Sequence, residues 1–156
     1  MNKNIKLTPL HCIFYVYHTF AFGSDGKLNK DEKKIISSFM FRWVGQDKEK
    51  MSQVISETLN WSKENIDNIN NQIGTMISMV EFLKSQSSFD TFKREYFLMD
   101  IRNIARSDGN FIDQQKKWHD MLANILELNI RISQSSLEDI NGAVKKVEKR
   151  KIGFRR

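Results

Sequence analysis

The sequence predicts an all-α domain, and three observations carry that prediction. Apolar residues recur at helical spacing along the long segments of the chain. One Pro and seven Gly are spread over 156 residues, and the continuous β-branched runs of a parallel sheet are missing. A short motif, Ser-Asp-Gly-x-apolar, occurs at Ser24–Leu28 and again at Ser107–Phe111, which sets Asp25 and Asp108 83 residues apart. Each copy follows an aromatic-rich stretch and precedes a second amphipathic one. The chain therefore reads as two related helix–hinge–helix units within a single domain of about seven helices.

The first helix opens with Thr8 as N-cap and Pro9 at its first position, where the missing N–H costs nothing. Leu10, Ile13, Phe14, Tyr17 and Ala21 form one apolar face, and Cys12, Val16 and Phe20 a second, so this helix is expected to be buried on most sides. Gly23 to Gly26 end it. Asn29 to Glu32 read as a capping box for the second helix, which carries Ile36, Met40, Trp43 and Val44 and stops at Gly45. Asp47 starts the third, with Met51, Val54, Ile55, Thr58 and Leu59. The polar stretch 60–71 either breaks the chain or continues as a solvated helix. The fourth helix carries Ile69, Ile73, Met76, Ile77, Val80 and Leu83, and Gln86-Ser87-Ser88 links the two units. The fifth is expected to bury Phe92, Tyr96, Phe97, Ile101 and Ile104. Asp113 caps the sixth, with Trp118, Met121, Leu122 and Ile125. Ser133 or Ser135 starts a seventh, with Leu137, Ile140, Val144 and Val147.

A chain of this length supports one core, and 40% apolar residues with 11 Phe and three Trp are ample to fill it. Its domain is expected to span residues 1–144, followed by a basic tail at 145–156. The net charge of +6 resides entirely in that tail, where Lys145, Lys146, Lys149, Arg150, Lys151, Arg155 and Arg156 face Glu148 alone. The tail reads either as a solvated, frayed end or as an electrostatic anchor for nucleic acid or an anionic membrane. Cys12 is the single cysteine, which excludes an internal disulfide and fits a reducing compartment. The apolar run Ile13–Tyr17 is flanked by His11 and by His18-Thr19, and no cleavage site follows it. No stretch reaches the roughly 18 apolar residues of a membrane span. These features point to a soluble cytoplasmic protein.

The hinges admit two readings. Asp and Gly end a helix and turn the chain by themselves, and the apolar Leu28 or Phe111 staples the next helix back. Alternatively the carboxylates bind a cation. Asp25, Gly26, Leu28 and Glu32 match positions five, six, eight and twelve of an EF-hand loop, but Ala21 and Gly23 stand where its first carboxylates belong. The second hinge has Ile104, Arg106 and Gln115 at the corresponding places. Neither hinge supplies the six to eight oxygens that calcium requires. One shared site remains open, with Asp25, Glu32 and Asp108 converging about a pseudo-two-fold axis and Asp31, Asp113 and Gln115 in reserve.

Over roughly residues 8–130 the chain also resembles the TerB tellurite-resistance family. The resemblance is carried by Ser24-Asp25-Gly26-Lys27-Leu28 with Glu32, and by Ala105-Arg106-Ser107-Asp108-Gly109 with Gln115. It implies a duplicated all-helical fold, a cytoplasmic module of metal or oxyanion stress, and no catalysis; the expected partner is another protein. It also implies that the hinge carboxylates Asp25, Glu32 and Asp108 ligate a divalent cation, with Ca, Mg, Mn and Zn undistinguished. Gln115, in place of a second glutamate, departs from that pattern, and the basic tail is outside it.

The remaining candidates have plainer readings. His11 and His18 are two turns apart on one helix, about 10 Å, too far to share a metal. They and His119 read as core or surface residues. Asp100 reads as either buried and hydrogen-bonded or exposed. Met51, Met76, Met79, Met99 and Met121 read as core filler. No phosphate loop, nucleophile elbow or zinc pattern is present, so no enzyme is expected.

Overall fold

Helix α1 (Pro9–Phe22) runs through the middle of the molecule and packs against α2 (Lys30–Trp43), α3 (Lys48–Asn65), α4 (Ile69–Ser85) and α5 (Thr91–Arg106). A sixth helix, α6 (Asp113–Ile125), packs on α4 and α5. The computed structural model describes residues 5–22, 30–107, 111–133 and 152–155. Among these residues six helices form and no strand, with one isolated parallel bridge between Leu7 and Phe154. Asp25, Asp108, the segment expected to form a seventh helix, and the basic residues Lys145, Lys146, Lys149, Arg150, Lys151 and Arg156 lie outside the described residues.

The central place of α1 follows from its two apolar faces. Residues Cys12–Tyr17, Phe20 and Ala21 are all buried, and side chains from α2, α4, α5 and α6 complete the core around them. Each fully buried large side chain contributes about 1.5–3 kcal/mol. Burial pushes the Cys12 thiol far up, so it is a packed apolar group rather than a nucleophile.

The helix boundaries have local causes. Gly45 sits at φ +74° and donates to Arg42 C=O, while Gln46 N–H reaches Phe41 C=O, a Schellman stop for α2. Asp47, Asn68 and Asp90 cap α3, α4 and α5 through their side chains, accepting from Lys50, Asn71 and Asp90's third successor Lys93. The polar stretch resolves as a break, with α3 continuing to Asn65 and α4 starting at Ile69. At α6 the expectation is corrected. Ile112 is the N-cap and Asp113 the first helical residue, and it is the Gln115 side chain that accepts from Ile112 N–H.

A second correction concerns α5. Phe92 is 70% exposed and Met99 40%, and the buried face runs through Phe97, Leu98, Asp100, Ile101, Ile104 and Ala105. Of the expected face, Phe97, Ile101 and Ile104 are buried and Tyr96 half-buried, while Phe92 in the first turn faces outward. No helix of the described residues is long and apolar enough to cross a membrane.

Candidate functional site

Three polar constellations stand out. The first lies where α1, α2 and α5 meet. Asp100 is 1% exposed, and its Oδ2 accepts from Tyr17 Oη at 2.5 Å, Arg42 Nη2 at 2.6 Å and Trp43 Nε1 at 3.2 Å. Trp43 Nε1 also donates to Tyr17 Oη at 2.8 Å. Arg42 lies over the rings of Tyr96 and Phe39, 4.2 and 5.0 Å from their centroids. Burial pushes the Asp100 carboxyl above its ordinary range, and the hydrogen bonds and the Arg42 charge pull against that rise. Burial and the neighbouring carboxylate push the Tyr17 phenol well up. The cluster is closed on itself, so its chemistry is that of a clamp. Asp100 stood between two readings in the sequence, and the structure selects the buried, hydrogen-bonded one.

The second constellation joins α5, α6 and the segment that follows. Arg102 Nη1 donates to His119 Nε2 at 2.8 Å, which fixes the proton of the neutral ring on Nδ1, facing Asp120 Oδ1 at 2.9 Å. Asp120 also accepts from Ile132 and Ser133 N–H, at 2.9 and 2.7 Å. Burial holds the His119 imidazole below its ordinary value, against the pull of Asp120.

The third lies at the start of α1. Thr8 N–H donates to His11 Nδ1 at 3.0 Å, so Nε2 carries the proton that faces Glu57 Oε1 at 3.0 Å. His11 thus reaches back to the N-cap backbone as a capping-box glutamate would. Beside this pair opens a cleft of about 560 Å³, to which Lys6, Lys50 and Arg155 contribute. Arg155 is held there by backbone pairing. Its N–H donates to Leu7 C=O at 2.8 Å, Leu7 N–H donates to Gly153 C=O at 3.2 Å, and the Phe154 ring stacks on Phe82 with centroids 4.3 Å apart. The end of the basic tail, Ile152–Arg155, is therefore folded against the helices.

Of the expected cation ligands only Glu32 is among the described residues. It is buried, at 1% exposure, in the first turn of α2. Gln115, 83 residues further on, is also buried, and its amide bonds on both sides. Nε2 donates to Phe20 C=O at 2.9 Å while Oε1 accepts from Ile112. A glutamate could not donate to that carbonyl, which explains the glutamine. Asp31 and Asp113 are exposed. No group of three or more His, Cys, Asp or Glu able to hold a metal forms among the described residues. No protein-family model, curated protein or solved structure matches the chain.

Proposed function

We propose that the chain is a non-enzymatic, TerB-like binding module made of two copies of one helix–hinge–helix unit. In this reading Asp25, Glu32 and Asp108 ligate one divalent cation between the copies, and the protein serves as a cation-responsive scaffold for another protein in metal or oxyanion stress. The observation that carries it is the contact between Tyr17 and Asp100. These residues are 83 apart, the same offset as the hinge aspartates. If the two copies are aligned on that offset, Tyr17 and Asp100 are counterparts, and contact between counterparts supports a two-fold relation, as in an isologous interface. Helices α2 and α6 begin at Lys30 and Asp113, again 83 apart.

Two further contacts support a shared site. Gln115, in the first turn of α6 just beyond the second hinge, is bonded to Phe20 in the last turn of α1 just before the first. Trp118 packs edge-on against Phe20 with centroids 5.9 Å apart. The flanks of the two hinges thus meet. The buried Glu32 adds a carboxylate at the helix start next to the first hinge. An all-carboxylate set favours hard, oxygen-seeking cations such as Ca, Mg and Mn over Zn.

A tryptophan-monitored thermal melt of metal-stripped protein tests the proposal, with Ca, Mg, Mn and Zn added singly. A ligand at 100 times its dissociation constant stabilises by about 2.7 kcal/mol, a shift of several degrees. The shift is expected to vanish in the Asp25→Asn, Asp108→Asn double variant. No shift with any of the four ions overturns the cation site.

A further inference from the structure

We infer that the cleft between the start of α1, α3 and the C-terminal segment binds a small phosphorylated molecule of nucleotide size. Its volume of about 560 Å³ lies within the roughly 300–1,000 Å³ of small-molecule sites. Three cations reach it from three separate parts of the chain: Lys6 before α1, Lys50 in the first turn of α3, and Arg155 near the C-terminus. None of the three has a carboxylate within 4.0 Å among the described residues, where the ion pairs lie elsewhere. The one acidic side chain lining the cleft, Glu57, is turned to His11. A concave surface with that excess of positive charge concentrates anions. Three cations call for a ligand with at least two negative charges, and the Arg155 fork suits the paired oxygens of a phosphoryl group. Leu10 and Val54 add an apolar wall that can cover an uncharged ring.

The C-terminal pairing makes the site specific to the folded chain. Phe154 on Phe82 and the backbone bonds to Leu7 fix the residue that completes the cationic rim. Part of the basic tail is then a wall of a binding site and not a free arm.

Calorimetric titration of the full chain with ADP, and separately with inorganic pyrophosphate, tests this. The expected result is binding of both with a dissociation constant below roughly 1 mM and competition between them. Lys50→Gln and Arg155→Gln are each expected to weaken ADP roughly fivefold to tenfold, and Glu57→Gln to strengthen it by removing the opposing charge. Circular dichroism establishes that each variant is folded. Absence of ADP and pyrophosphate binding overturns the inference. So does ADP affinity unchanged in both cation variants, or binding of a single-stranded oligonucleotide without binding of ADP. Asp25→Asn and Asp108→Asn are expected to leave ADP affinity unchanged, which separates this cleft from the hinges.

Discussion

Replacing Tyr17 by Phe removes a single oxygen from the centre of α1. That oxygen donates to Asp100 at 2.5 Å and accepts from Trp43 at 2.8 Å. The ring's other contacts stay, including the stack on Phe97 at 5.5 Å and the edge contact with Phe39 at 6.2 Å. Trp43 Nε1 keeps Asp100 as a second acceptor, and Arg42 still faces the carboxylate. The loss is therefore one hydrogen bond to a buried charged group, worth about 1.5–3 kcal/mol. In a chain of this size each kcal/mol moves Tm by roughly 2–4 °C, so the variant should melt about 3–12 °C lower. Urea unfolding at pH 7 measures it, followed by far-UV circular dichroism because Trp43 borders the substitution. The slope m should be unchanged. A double-mutant cycle with Asp100→Asn should return at least about 1 kcal/mol of coupling. A loss below about 0.5 kcal/mol, or additivity within about 0.3 kcal/mol, would refute the clamp.

Other expected outcomes follow from the same geometry. Burial lowers the folded-state values of His18 and His119, so below about 6.5 the unfolded chain binds more protons and stability falls as pH drops through their folded values. Asp100, pushed up by burial, acts in the opposite sense, its contribution falling as pH rises through its folded value. Urea midpoints between pH 5.5 and 7.5 measure the slope, and His119→Gln should flatten it; an unchanged slope contradicts the assignment. Asp120→Ala strips the acceptor from His119, Ile132 and Ser133 and should cost about 2–4 kcal/mol, with amide exchange accelerating at Ile132 and Ser133. Cys12, fully buried, should react with a thiol reagent only at the rate at which the chain opens, so labelling as fast as in denaturant contradicts its burial.

The sequence made the helices legible because their causes are local. Asp47 and Gly45 act within a turn of themselves, and the double apolar stripe of α1 announces its central place. The repeated Ser-Asp-Gly motif is plain in the chain, and the two-copy reading proposed from it rests on that motif together with the offset of 83. What it could not reveal depends on long-range pairing. Asp100 sits among apolar neighbours on α5, and only the approach of Tyr17, Arg42 and Trp43 decides that it turns inward. The offset of 83 between Tyr17 and Asp100 was present in the chain, but no local pattern marks a pair that meets across the fold. The role of Gln115 likewise depends on the Phe20 carbonyl, 95 residues away. Arg155 looked like one charge of a solvated tail, because nothing near it in sequence foretells pairing with Leu7. Phe92 misled in the other direction, since helical spacing gives a face but not which face finds a partner.

Calorimetric titration of metal-stripped protein with Mn, repeated with Ca, bears most directly on the proposed shared cation site, because stoichiometry separates a shared site from two independent ones. The account predicts one ion per chain, with binding lost in Asp25→Asn and also in Asp108→Asn. Two ions per chain, binding that survives either single substitution, or no binding of either ion would contradict it.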